Sequence, residues 1–171
     1  MNKKKGGKIA AVIDIGSNLL KMRICQLRKG EIVTLDRLQY PLNLGHEVFT
    51  GGKISFESLR ELSSILHGYS DIMAEYGVDQ YKVVATTALR EAKNRAYVLD
   101  QLKIQNDMTV EVLEDSQEKT LIYSEILAGL QTMAPQKMGN ALISYIGAGT
   151  IGLSVFDGQN MVFSQNVPMG A

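Results

Sequence analysis

The sequence predicts an α/β chain. A complete domain ordered β-β-β-α-β-α-β-α, with a mixed sheet and helices on both faces, is followed by the first β-meander of a second, similar domain. Three observations carry this prediction. The apolar run from Ile9, broken by Asp14, Gly16, Ser17 and Asn18, is echoed by Ala141 to Ile146, broken by Gly147, Ala148, Gly149 and Thr150. Between these echoes the apolar spacing changes from strand-like to helical and back. At 45% hydrophobic and 21% charged residues, the 171-residue chain has the composition of an ordinary globular protein with a sizeable core.

Each element follows from local pattern. The first hairpin continues through Leu20 to Leu27, turns at Lys29-Gly30 and returns from Ile32 to Leu38. Tyr40 to Gly52, punctuated by Pro41, Gly45, Gly51 and Gly52, reads as a loop. From Ser55 a helical stripe begins: Leu59, Leu62, Ile65, Leu66, Tyr69, Ile72, Met73 and Tyr76 recur at three- and four-residue spacing, and Gly77 closes it as a C-cap. Tyr81 to Ala85 is a β-rich run. Asn94 then caps a helix carrying Tyr97, Val98, Leu99 and Leu102. Thr109 to Leu113 forms a strand, and a helix from Asp115 carries Leu121, Ile122, Ile126, Leu127 and Leu130. After a linker at 135–140, the second meander runs through Leu153 to Phe156, a turn at Asp157-Gly158 and Met161 to Phe163. The expected organisation is a basic tail over 1–7, a first domain over 8–134, and the start of a second over 135–171, where the chain breaks off.

Composition excludes several classes. A formal net charge of zero gives no electrostatic reason to expect nucleic acid or an acidic membrane as partner. The single cysteine, Cys25, rules out an internal disulfide framework, fits a reducing compartment and reads as buried packing in its strand. The basic start, with its short apolar run, is too brief for a signal peptide or a membrane span, so a cytoplasmic location is expected. His46 and His67 lack companion ligands for a metal site.

The glycine bends are the chemical feature. Successive backbone N–H groups in such bends form anion-binding concavities, and two of them suggest facing phosphate loops. Gly147 to Gly152 also spells G-x-G-x-x-G. A dinucleotide site would require a helix next, whereas Leu153 to Phe156 runs straight into a hairpin turn. Asp14, at a strand end beside Gly16, Ser17 and Asn18, offers the hard carboxylate that Mg²⁺ takes along with phosphate oxygens; it also reads as a plain strand-terminating turn residue. Arg90 lies just past a strand end, where a guanidinium fork would clamp a phosphoryl group, or simply pair with Glu91. Asp115 and Glu118 have the spacing of a capping box, and Glu118 could equally be a carboxylate held to take a proton from attacking water.

Taken in order, these residues resemble the exopolyphosphatase/guanosine pentaphosphate phosphatase (Ppx/GppA) family, N-terminal portion, of the actin-like, ribonuclease-H-like ATPase superfamily. The matching pieces are Ala11 to Asn18, Asp36-Arg37 with Pro41 to Gly45, Ala85 to Asn94, Glu118 with Leu121 to Tyr123, Ile146 to Gly149, and Pro168 to Ala171. The resemblance implies two actin-like lobes with phosphate between them. It implies Mg²⁺-assisted water attack on polyphosphate or a guanosine penta- or tetraphosphate, and it is compatible with a homodimer of the full-length chain. By the same resemblance, Glu118 is the general base, Arg90 the phosphate clamp and Asp14 the metal ligand. The phosphate loops fall on Gly16 to Asn18 and on Gly147, Ala148, Gly149 and Thr150.

Departures from the family pattern are as informative. The family's second loop reads Asp-Ile-Gly-Gly-Gly-Ser-Thr-Glu; here Tyr145 and Gly152 stand at the two acidic positions. Leu19 replaces a small hydroxyl residue, Lys21 an arginine, and Gln117 a frequent second glutamate. Three functions therefore enter the comparison with structure: a working phosphatase, a weakened relative that binds phosphorylated ligands, and an actin-like ATPase or kinase.

Overall fold

A computed structural model describes residues 7–133, 139–147, 150–158 and 160–168. It divides into two compact units, the first ending at Leu113 and the second beginning at Glu114.

The first unit holds a five-stranded mixed sheet of order β3-β2-β1-β4-β5. Its strands are β1 (Ile9–Ile15), β2 (Leu19–Arg28), β3 (Glu31–Pro41), β4 (Gln80–Ala85) and β5 (Val110–Val112). The first three pair antiparallel, whereas β4 runs parallel to both β1 and β5. Lys29 and Gly30 both take positive φ, 50° and 85°, the geometry a two-residue hairpin turn needs to match strand twist. Alternation places Ala11, Ile13, Ile15, Leu20, Met22 and Ile24 in one buried face. Cys25 lies on the other face and is half-buried rather than enclosed; its cross-strand partners are Ala10 and Thr34.

Helix α2 (Phe56–Tyr76) covers the buried face with Leu59, Leu62, Leu66, Tyr69 and Met73, and the Tyr69 hydroxyl donates to the Leu20 carbonyl at 3.2 Å. Ser55 caps its start, and Gly77, at φ 62°, closes its end. Helix α4 (Arg95–Asn106) adds Val98 and Leu102 to the same core.

Two short helices occupy stretches without a long periodic signal: α1 (Leu44–Gly51) and α3 (Thr87–Glu91). The loop expected over 40–52 is therefore corrected. Leu44 and Val48, one turn apart, enter the core, and Gly52 ends α1 at φ 75°.

Asn94 stands before α4 as expected, but its side chain does not cap it. Its amide instead accepts from the Ile54 N–H at 3.0 Å and donates to the Ile54 carbonyl at 2.8 Å, acting as a rung across forty residues of sequence. Asn94→Ala would leave two backbone groups of a buried residue without that partner. The expected cost is about 1–3 kcal/mol, read as a lower urea midpoint with an unchanged slope.

Glu47 of α1 braces the start of α2. It accepts from the Ser55 N–H at 2.8 Å, the Ser55 hydroxyl at 3.0 Å and the Ser58 hydroxyl at 2.7 Å. Partial burial pushes its carboxyl pKa up, but these hydrogen bonds and the nearby His46 outweigh that and lower it overall. A depressed pKa means stability held at neutral pH and lost as pH falls below about 4.3, the usual glutamate value. Glu47→Gln should therefore cost stability at pH 7 and progressively less in acid, as thermal melts across that range would record.

The second unit contains α5 (Asp115–Met133) and a three-stranded antiparallel sheet of β6 (Ala141–Ile146), β7 (Thr150–Asp157) and β8 (Asn160–Pro168). Tyr123 of α5 packs with Ile143 and Phe156, and the buried Ser154 hydrogen-bonds the Tyr123 hydroxyl at 2.5 Å. The last helix thus gives its apolar stripe to the second sheet. The opposite face of that sheet exposes Leu142 (70%), Ile146 (75%), Phe163 (50%) and Val167 (40%).

Candidate functional site

Strands β1, β4 and β5 are neighbours and parallel, so their C-terminal ends share one sheet edge, the usual ligand edge of such sheets. From β1 that edge receives the bend at Gly16. From β4 it receives Thr86 to Arg90, and Leu113 follows β5. Backbone hydrogen bonds tie these exits together: the Thr86 N–H donates to the Ile15 carbonyl at 3.2 Å and the Leu113 N–H to the Ala85 carbonyl at 2.9 Å.

The first bend is a hairpin tip. The Gly16 N–H donates to the Leu19 carbonyl at 3.0 Å, and Ser17 and Asn18 form the tip between. A side chain at Gly16 would bring a Cβ within 2.9 Å of that carbonyl, so the close turn requires glycine. The tip is anchored from behind. The Gly45 N–H, in the first turn of α1, donates to the Ser17 carbonyl at 2.8 Å, and the Leu42 N–H donates to the Asn18 carbonyl at 3.0 Å. Ser17 is buried beneath this contact, while Asn18 is exposed.

Asp14 is half-buried and points to the sheet face opposite the core, with Oδ1 buried. Its antiparallel partner is Lys21. Directly opposed side chains lie close on one face, so an acid and a base sit side by side at the foot of the tip. Lys21 drew notice in the sequence only as a replaced arginine. The two-residue tip fixes Ile15 opposite Leu20 and hence Asp14 opposite Lys21, which is the signal that could have found it. Gly45 stands out in the sequence only as loop punctuation and the end of a matching piece; a Cβ there would meet the Ser17 Cβ at 2.8 Å.

Arg90 stands just past the end of β4 and makes the expected pair with Glu91. Its side chain is only 11% exposed, and its Nε lies 3.7 Å from the Glu91 carboxylate. Nη1 donates to the Leu113 carbonyl at 2.8 Å and Nη2 to the Thr87 hydroxyl at 3.3 Å. The guanidinium is therefore braced at the strand edge.

In the second unit, Glu118 lies half-buried in the first turn of α5. The capping pair falls one residue earlier than expected. Glu114 precedes the helix, its carbonyl accepts from the Glu118 N–H, and its own N–H is taken by the Gln117 side chain at 2.9 Å. Asp115 instead pairs with Lys119 at 2.6 Å. Gln117 thus does the capping expected of Glu118, and the Glu118 carboxylate is not required for it.

Of the second bend, Gly147 is described, Ala148 and Gly149 lie outside the described residues, and Thr150 begins β7. Tyr145 and Gly152 prove to be directly opposed across β6 and β7. The Tyr145 ring lies against Gly147: a Cβ there would lie 3.1 Å from its hydroxyl. Among the described residues no cluster of three or more His, Cys, Asp or Glu could hold a metal. A lone carboxylate such as Asp14 still suits Mg²⁺, which takes one or two carboxylates and completes its shell with water and phosphate oxygens. No described helix is long and apolar enough to cross a membrane.

The sequence model of the Ppx/GppA phosphatase family matches residues 23–171. The chain belongs to that family. A Haemophilus influenzae protein named for exopolyphosphatase activity is 24% identical over 160 residues, covering 94% of this chain and 48% of the relative. The solved Ppx/GppA enzyme of Aquifex aeolicus superposes with a TM-score of 0.78 at 26% identity, over 95% of this chain and 53% of that one. A Bacteroides thetaiotaomicron protein with an actin-like ATPase fold superposes at 0.53 with 7% identity, over 100% and 74%, a likeness of fold alone. The chain spans about half the length of the Ppx/GppA relatives it matches. The expected family and actin-like α/β fold are thereby established.

Proposed function

We propose that this Ppx/GppA chain serves a phosphatase that removes terminal phosphoryl groups from polyphosphate or guanosine pentaphosphate. The observation that carries the reading is the shared strand edge of the first unit. Asp14, the Ser17-Asn18 tip and Arg90 leave adjacent parallel strands there, in a chain of a phosphatase family.

In this reading the Gly16 to Asn18 tip is one phosphate loop, and the bend from Gly147 to Thr150 is a second. Lys21 and Arg90 offset negative charge, which grows on the bridging oxygen as the P–O–P bond breaks. Glu118 accepts a proton from the attacking water. Asp14 would hold Mg²⁺, which when bound neutralises phosphate charge and polarises a phosphoryl oxygen. Asp14 and Glu118 would thus have separate duties, one in binding and one in proton transfer.

A second reading, binding of phosphorylated ligands with little turnover, is favoured by the opposed Tyr145 and Gly152. Two acids facing each other across a ladder would repel unless a cation lay between them. An aromatic ring opposite a glycine needs no cation.

Phosphate release from tripolyphosphate, long-chain polyphosphate and guanosine pentaphosphate, with Mg²⁺ and with chelator, tests the first reading. Release that stops on chelation is expected. The double substitution Tyr145→Asp with Gly152→Glu separates the two readings. A rise of tenfold or more would transfer support to the binding role; unchanged or lower turnover keeps the phosphatase.

A further inference from the structure

We propose that the first unit carries a second binding site, for the base of a purine nucleotide, in the cavity where the end of α1 meets the starts of α2 and α4. The inference stands apart from the phosphatase reading, since none of the phosphate-loop residues lines this cavity.

The cavity measures about 670 Å³ and is lined by Glu47, Lys53, Ile54, Phe56, Asn94 and Tyr97, among others. That volume falls within the roughly 300–1,000 Å³ typical of small-molecule sites. The site is built before any ligand arrives. Ile54, only 4% exposed, is held by the Asn94 amide on both its N–H and its carbonyl. One wall is the Glu47 carboxylate, fixed by three donors from Ser55 and Ser58.

The rim decides the ligand's shape. Phe56 is 68% exposed and Tyr97 45% exposed. Their rings meet edge to face at 5.9 Å and 89°, a pairing between helices far apart in sequence. Two aromatic rings turned to solvent above an apolar floor suit a third planar ring, because aromatics gain by stacking and edge contacts beyond burial alone.

Polar groups narrow the chemistry. A carboxylate has about four acceptor positions, so Glu47, with three taken, retains capacity for one N–H of the exocyclic amino group that adenine and guanine both carry. Lys53 lines the cavity, and the Lys93 ammonium lies against the adjoining turn, 3.1 Å from where a Gly52 Cβ would sit. These two cations suit the phosphate of a nucleotide. A quaternary amine, the other guest that aromatic rims accept, would meet both of them.

Calorimetric titration of the 171-residue chain with GMP, AMP, guanosine and choline tests the site. Saturable binding of GMP or AMP is expected, weakened about tenfold or more by Phe56→Ala. Lys53→Gln should weaken GMP several-fold and leave guanosine unchanged. Phe56 is largely exposed, so its removal leaves the core intact, which circular dichroism would check. The proposal is overturned by GMP affinity unchanged in both Phe56→Ala and Tyr97→Ala. It is equally overturned by GMP displaced stoichiometrically by tripolyphosphate, which would put the nucleotide on the phosphate loops, or by choline binding without nucleotide binding.

Discussion

Glu118→Gln should lower phosphate release by about 10²–10⁴-fold while leaving the fold in place. The amide keeps the shape of the side chain but cannot accept the proton that an attacking water must lose. The helix cap survives the substitution, because Gln117 and Glu114 form it between them. A negative charge in the first turn of a surface helix contributes only about 0.3–1 kcal/mol. Turnover of the Glu118→Gln variant is the measurement, with its thermal melt as control. Turnover close to that of the parent would remove Glu118 from the reaction.

Gly45→Val should damage both stability and phosphate affinity. A Cβ at this position would lie 2.8 Å from the Ser17 Cβ, 3.2 Å from the Phe49 ring and 3.3 Å from the Asn18 Oδ1. Two of those neighbours are the hairpin tip itself. Overpacking of this kind costs about 1–3 kcal/mol. Relief would come from driving α1 and the tip apart, which breaks the Gly45–Ser17 hydrogen bond. Tripolyphosphate binding should therefore weaken by more than it does for the same substitution at Gly68, where a Cβ meets nothing within 4 Å. Equal effects at the two positions would show that the tip does not depend on α1.

The parts of this fold that were legible repeat a signal over several residues. The long stripe from Leu59 to Tyr76 fixes α2, and alternation with the turns at Lys29-Gly30 and Asp157-Gly158 fixes both meanders. Helix α1 escaped because its eight residues bury only Leu44, Gly45 and Val48, too few to establish a period in a stretch punctuated by glycines. The cap of α5 slipped by one residue because Glu114, Asp115, Gln117 and Glu118 offer two overlapping pairs of suitable side chains. Asn94 was placed correctly and its role was not, since its partner Ile54 is joined to it only by tertiary packing. Of the candidate site, Asp14 and Arg90 stand at the strand ends where the sequence puts them. Lys21 required the hairpin register, and the opposition of Tyr145 to Gly152 required the pairing of β6 with β7.

The bare side of the three-stranded sheet has a practical outcome at the bench. Leu142, Ile146, Phe163 and Val167 give any crowded sample a sticky plane on which molecules can collect. Dose, more than heat, will then govern how long this polypeptide stays clear in a tube, and light scattering should climb with concentration well below its melting point.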